Sequence, residues 1–371
     1  MRGLTEICRK TQVALQLSKR LGDRSGKNPV AIFSDMLYYW LAAQMNPASY
    51  GLYGFEKLSR REKAEYLSKR QMDRLQERLN PPEFTALADD KLLFYERCRQ
   101  HDIPTPAILG VVLNQDSYVP AGVERLGGAD ELAGVLAASP PEGVVLKALD
   151  GGHGLGLLLL EHDNGVLRDK GGHVWTAPEL IEHCRHGCDS YGRPSRGFLV
   201  QQRLIPHDEL KAVMPGPAMG TVRLHTLLRR DGSVASLYPI VKVPIKGNLA
   251  DNFDHGRTGN LLAWLDVETG YMQHACAKEE DGWGLVVRDR HPDTGVAFKS
   301  VRIPGWEELL AVVERAARAF GELKTLAWDI AVTDQGAYIL EANWHYDPDG
   351  PQVSLRRGVR SEILRYFAQA A

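Results

Sequence analysis

Two turn signals constrain this chain more than any other feature. Asp231-Gly232 and Gln335-Gly336 each sit between apolar runs, residues 221–229 with 233–243 and residues 326–332 with 337–341. Such dipeptides between alternating apolar segments predict antiparallel hairpins. Further strands are predicted at 107–113, 143–149, 155–161 and 197–202, and helices at 131–138, 177–186, 306–320 and 360–370. Strand pairs mixed with helices predict α+β subdomains rather than one doubly wound parallel sheet.

The segment before Pro82 reads differently. Leu4, Ile7, Val13, Leu17 and Leu21 form one apolar stripe; Phe33, Met36, Leu37, Trp40 and Leu41 form a second at helical spacing. Tyr38, Tyr39 and Trp40 read as helix core. Ser59 and Glu62 have capping-box spacing and open a helix carrying Tyr66 and Leu67, which Asn80-Pro81-Pro82 stops. After a helix over 89–100, the chain enters Ile103-Pro104-Thr105-Pro106. Three regions are expected: a helical region at 1–82, a subdomain at 83–205 and a second at 206–371.

The 371 residues suffice for two cores, and a formal net charge of -2 provides no global field for nucleic acid. Residues 36–45 and 155–160, the most apolar stretches, fall short of the roughly 20 residues that span a bilayer. The start, MRGLTEICRKTQ, lacks an apolar signal core, and 5 scattered cysteines do not form a disulfide framework. A reducing cytoplasm is the expected location.

Four segments could carry chemistry. Lys147 closes an apolar strand and precedes Asp150-Gly151-Gly152-His153-Gly154-Leu155-Gly156. Glycines there let backbone amides approach phosphate oxygens. Strand–loop–strand context excludes a Walker A loop; the plain alternative is a flexible hairpin with a surface lysine. In the second segment, Asp329 lies on one strand of the last hairpin, and Glu341 and Asn343 face one way on the other. Carboxylate and amide oxygens suit Mg²⁺; the alternative is a solvated polar sheet face, against which the flanking Ile330, Leu340 and Ala342 argue. Third, residues 198–204 could offer backbone groups to an adenine edge, or simply connect domains. Fourth, Arg223 precedes the polar loop Asp251-Asn252-Phe253-Asp254-His255-Gly256-Arg257-Thr258-Gly259-Asn260, which reads as a lid or as an ordinary surface loop. His183-Cys184-Arg185-His186-Gly187-Cys188 matches no standard zinc spacing.

The order of these elements, with Asp90-Lys91-Leu92-Leu93 leading into the 103–106 segment, resembles the ATP-grasp superfamily over residues 85–365. Within it, segments 207–223, 251–260 and 328–343 resemble the glutamate-ligase-related, sugar-transfer-associated group. The resemblance implies two α+β subdomains clasping ATP beside an N-terminal helical region. It implies that Lys91 and Lys147 contact the phosphates under a flap of Gly151, Gly152, Gly154 and Gly156, and that Gln201 and Leu204 meet adenine through their backbones. Asp208 or Glu209 would take the ribose. Arg223 would act at the γ-phosphate or acyl-phosphate, with Asn252 and Arg257 nearby. Asp329, Glu341 and Asn343 would hold Mg²⁺, with Mn²⁺ as an alternative ion.

The sequence departs from the pattern in places. Gln201-Gln202 replaces the common glutamate. Thr221-Val222-Arg223 lacks the acid of amino-acid ligases. The first 82 residues do not read as the usual α/β subdomain. The implied reaction activates a carboxylate as an acyl-phosphate for attack by an amine, with ADP and phosphate released; partners would be a small carboxylate and an amine or sugar-derived acceptor. Phosphotransfer to a small molecule or sugar, and nucleotide binding without turnover, are the competing readings. Donor, acceptor and oligomeric state are not legible.

Overall fold

The computed structural model describes residues 2–151, 157–163, 166–189, 192–280 and 284–370, without the side chains of residues 2–7 and 9. The chain opens on helices α1 (Arg2–Ser25), α2 (Pro29–Ala43), α3 (Pro47–Leu52), α4 (Arg60–Ala64) and α5 (Lys69–Gln76). Asn28 and Asn46 cap α2 and α3, accepting from Val30 N and Ser49 N at 2.8 Å, each with proline at the first helical position. The capping box of Ser59 and Glu62 forms, but α4 ends at Ala64. Tyr66 and Leu67 therefore lie in a connection, and a second box, Ser68 with Gln71, opens α5.

The predicted stripe of α2 is out of phase. Ile32, Met36 and Tyr39 are buried, whereas Tyr38 is 62% and Leu41 73% exposed. Consecutive helical residues diverge by about 100°, so Tyr38, Tyr39 and Trp40 cannot all enter one core.

Helices α6 (Ala86–Asp89) and α7 (Lys91–Gln100) lead into the first sheet. Its strands are β1 (Ile108–Leu113), β2 (Val144–Ala148), β3 (Leu158–Asp163), β4 (Val166–Arg168), β5 (Val174–Trp175) and β6 (Gly197–Gln202), in the order β1-β6-β2-β3-β4-β5. Every neighbouring pair is antiparallel. Helices α8 (Ala129–Ala137) and α9 (Ala177–His186) bury Leu132, Leu180 and Ile181 against Val144, Leu146 and Phe198 on one face. On the other, Leu92 of α7 meets Val111 and Leu199.

The second sheet comprises β7 (Thr221–Leu228), β8 (Val234–Val243), β9 (Leu261–Leu265), β10 (Met272–Lys278), β11 (Leu285–Arg288), β12 (Thr325–Thr333) and β13 (Gly336–Asn343). Its order is β11-β10-β9-β8-β7-β12-β13. Both predicted hairpins form, with Gly232 and Gly336 at positive φ in their turns. One face packs on α10 (Trp306–Ala319) through Val222, Leu224, Val241, Trp328 and Ile330. The other is covered by α11 (Asp349–Leu355) and the N-terminal helices: Leu17, Tyr50, Tyr53 and Phe55 share a core with Ile240, Leu262, Cys276 and Val353. Helix α12 (Arg360–Phe367) closes a smaller core with Met72 and Leu227. Each large apolar side chain withdrawn from water there stabilises the assembly by about 1.5–3 kcal/mol. The N-terminal helices are thus a cover for the second sheet. Among the described residues no helix is long and apolar enough to cross a membrane.

Candidate functional site

Asp90 caps α7, accepting from Leu92 N and Leu93 N at 2.8 and 3.1 Å. Its second oxygen pairs with Arg196 at 2.7 Å, and Arg196 also holds Asp150 at 2.6 Å. This ion-pair chain ties the start of α7 to the start of the glycine loop. It directs Lys91 Nζ onto the carbonyls of Leu149 and Gly151, at 3.0 and 2.5 Å. Lys147 projects from β2 opposite Leu199, on the face where α7 packs. Burial, and then the charge of Lys91, push its ammonium down to about 8, with Glu341 acting in the opposite direction. Burial also lowers Lys91, again opposed chiefly by Glu341. Two cations of the first subdomain therefore sense one carboxylate of the second sheet. Gly152, Gly154 and Gly156 lie outside the described residues.

On the second sheet, cross-strand register builds a polar row. Asp329 stands opposite Arg223 on one side and Glu341 on the other, while Ala327 is opposite Asn343. Arg223 grips Asp329 with two bonds, Nε to Oδ1 at 2.7 Å and Nη2 to Oδ2 at 2.6 Å. Lys242, which the sequence reading missed, donates to the same Oδ2 at 2.9 Å and lies 3.7 Å from Asp251. Burial raises the Asp329 carboxyl, but Arg223 and Lys242 outweigh it and hold the group far below the ordinary range. Asp329 is thus buried with its cations. Glu341, on edge strand β13, is exposed; it accepts from Asn343 Nδ2 at 3.3 Å. The expectation of a buried acid in this hairpin holds for Asp329 and fails for Glu341, because β13 is the edge strand of the sheet among the described residues.

The remaining candidates are more dispersed. Gln201 is buried inside β6, donating to Pro106 O at 3.0 Å. The backbone N–H and C=O of Leu204, just past the strand, have no hydrogen-bond partner among the described residues. Asp208 and Glu209 are exposed; Asp208 pairs with Lys211 at 2.5 Å and its N–H donates to Asp334 at 3.1 Å, beside the β12–β13 turn. Asn252 C=O receives Thr258 Oγ1 and Asn260 Nδ2, fixing the 251–260 loop on itself. Arg257 is exposed and locked to Asp254 of the same loop, so it is not brought to Arg223. Cys184 is buried and Cys188 exposed; the 183–188 segment gathers no ligand set among the described residues. A cavity of about 560 Å³ is lined by Glu161, Arg168 and Arg203 with Gly216 and Pro217 and contains none of the lysine–carboxylate residues.

A family model described as sugar-transfer associated ATP-grasp matches residues 70–367. No curated protein matches the chain. Among solved structures, it is similar to phosphoribosylamine–glycine ligase of Thermotoga maritima, with 13% identity, a TM-score of 0.44, and 79% of this chain and 57% of that one covered. It is also similar to D-alanyl-alanine synthetase A of Vibrio cholerae, at 15% identity and a TM-score of 0.43, covering 78% and 68%. A third similar structure is the biotin carboxylase domain of Hydrogenobacter thermophilus 2-oxoglutarate carboxylase in complex with MgADP, at 15% identity and a TM-score of 0.41, covering 80% and 50%. The chain spans about half the length of this last structure.

Proposed function

The chain belongs to the sugar-transfer-associated ATP-grasp family, and from that premise we propose that it binds ATP between its two sheets and activates a carboxylate for attack by an amine. The observation that carries this reading is the pairing of a lysine-and-glycine-loop element, with Lys91 Nζ on the Leu149 and Gly151 carbonyls and Lys147 on the same face of β2, with a polar row of Arg223, Asp329 and Glu341 on the second sheet. Two half-buried ammonium groups side by side are a poor arrangement by themselves and a good one around a triphosphate.

Glu341 and Asn343 place a carboxylate and an amide side by side. Turning the amide so that its oxygen faces the cleft yields hard donors that fit Mg²⁺, and equally Mn²⁺. Asp329, with both oxygens engaged by cations, would contribute only a remaining lone pair. When bound, the ion supplies positive charge against the phosphates.

The chain's own groups do the rest. Lys91 and Lys147 spread the triphosphate charge, the Gly151 backbone approaches the phosphates, and the Leu204 backbone meets adenine. Asp208 or Glu209 takes the ribose. The carboxylate oxygen attacks the γ-phosphorus and ADP leaves. The amine nitrogen then attacks the acyl carbon and phosphate leaves, with the Arg223 guanidinium, pre-aimed by Asp329, facing the oxyanion. The acceptor is an amine or sugar-derived nucleophile.

A coupled ADP-release screen over amino acids, amino sugars and uronic acids tests this. Equal ADP and phosphate with an amide product supports it. AMP with pyrophosphate overturns it, and a stable phosphorylated product formed without any amine assigns phosphotransfer instead.

A further inference from the structure

His255, Asp347 and Asp349 converge, together with Tyr53, where the N-terminal helices meet the second sheet. His255 Nδ1 lies 2.6 Å from Asp349 Oδ2. That oxygen is out of reach of solvent and accepts no well-aligned hydrogen bond, so the imidazole is its compensation. The other oxygen of Asp349 receives the Tyr53 hydroxyl, which in turn accepts from Gln352 Nε2 at 2.9 Å. Asp349 is therefore anchored from behind, and the imidazole is oriented by it. The ring is 45% exposed, and Nε2 has no partner among the described residues. His255 and Asp254 both take left-handed backbone conformations, φ 53° and 44°, a strain that persists only where surroundings impose it.

The cluster lies on the same sheet face as the proposed reaction site. Arg223 pairs with Ile240, and Ile240 packs with Tyr53, Phe253 and Val353, so the helical cover and the Arg223–Asp329 row share one sheet face. Asp251, which receives Thr221 N and Oγ1 and neighbours Lys242, lies four residues before His255. Four residues of chain reach at most about 14 Å.

We propose that His255 Nε2 is the base that deprotonates the incoming amine, with Asp349 as its positioning residue. This rests on the acyl-phosphate reading above. As the nitrogen bonds to the acyl carbon and the C–O bond to phosphate breaks, phosphate departs with the electron pair and the proton shed by nitrogen moves to Nε2. Neutral imidazole is the active form. The groups facing it are the carboxylates of Asp254, Asp347 and Asp349, the Tyr53 hydroxyl and, through Asp347, Lys69. The Asp349 contact outweighs burial and raises the imidazole above its ordinary value.

Hydroxylamine separates the two claims, since it traps acyl-phosphate without needing a base. With the full chain, ATP, Mg²⁺ and the carboxylate and amine found active in the screen, His255→Ala should lose at least about 100-fold in amide formation while keeping hydroxamate formation within a few-fold. Added imidazole should restore part of the amide rate. Asp349→Asn should lower the amide rate and move its acid limb to lower pH, a shift that simple loss of packing does not produce. Retained hydroxamate formation certifies that each variant is folded. Equal amide rates in wild type and His255→Ala overturn the proposal while leaving the acyl-phosphate reading intact. Absence of hydroxamate from the wild type overturns both. Stoichiometric Zn²⁺ or Mn²⁺ binding, followed by calorimetry and abolished by His255→Ala, would assign the three groups to a cation and also overturn it.

Discussion

At the scale of single residues, two carboxylates in the same polar row should behave oppositely. Asp329 is 3% exposed and balances Arg223 and Lys242. Asp329→Ala leaves two cations uncompensated and is expected to cost about 3–5 kcal/mol of stability, read by denaturant unfolding. Glu341 is exposed, accepts from Asn343 and faces the lysines only through solvent-screened charge. Glu341→Gln should leave unfolding within about 0.5 kcal/mol of wild type, yet remove metal-dependent turnover. Lys147 provides a pH signature. Its ammonium is pushed down to about 8 from the ordinary 10.5. Between these values the unfolded chain binds more protons than the folded one, so this site adds stability as pH rises through that window. Bound triphosphate restores the charge. Calorimetry in buffers of different ionisation heat should therefore show ATP binding at pH 8 with uptake of about half a proton, and almost none at pH 6; equal uptake at both would refute the placement. The types and order of Lys147, Arg223, Asp329 and Glu341 were legible because each interrupts or ends an apolar strand. Their partners Lys242 and Arg196 were not. Lys242 stands opposite Thr221 on β8 and reaches Asp329 across the intervening β7, a relation between three strands that local pattern does not encode. His255 and Asp349 come from separate segments and meet only through tertiary packing.

At the scale of elements, hairpin chemistry was the reliable guide. Gly232 and Gly336 marked true turns, and the strands they join were recovered to within two residues at each end. Strands β9 and β10 escaped, since Leu261-Leu262-Ala263-Trp264-Leu265 is a short continuous apolar run without alternation, equally compatible with a buried helix. The junction between the cover and the C-terminal tail depends on one glycine. A β-carbon on Gly358 would stand 2.2 Å from the Glu65 carbonyl carbon, while Arg360 N donates to Glu65 O at 2.8 Å and Ser361 Oγ to its carboxylate at 2.9 Å. Gly358→Ala should push the tail off α4 and cost about 1–3 kcal/mol, seen as a lower melting temperature. An unchanged melting temperature would mean that this contact yields freely.

At the scale of the whole molecule, the N-terminal helices appear in the sequence only as amphipathic segments, and nothing local says which surface they cover. The structure lays them over the polar-row side of the second sheet, with Phe55 fully buried among Tyr39, Tyr50, Tyr53 and Tyr66. Deleting residues 1–58 would uncover Ile240, Phe253, Leu262 and Cys276. The shortened chain is expected to associate or lose its cooperative melt, by light scattering and calorimetry, whereas a monodisperse, cooperatively melting product would show the cover to be dispensable. Turnover by this chain requires one triphosphate to be held from both sheets at once. A crystal structure with Mg²⁺ and a non-hydrolysable ATP analogue tests that directly. It should place the phosphates against Lys91 and Lys147, with the ion on Glu341 and Asn343. A nucleotide touching one sheet alone, or bound away from these residues, would contradict it.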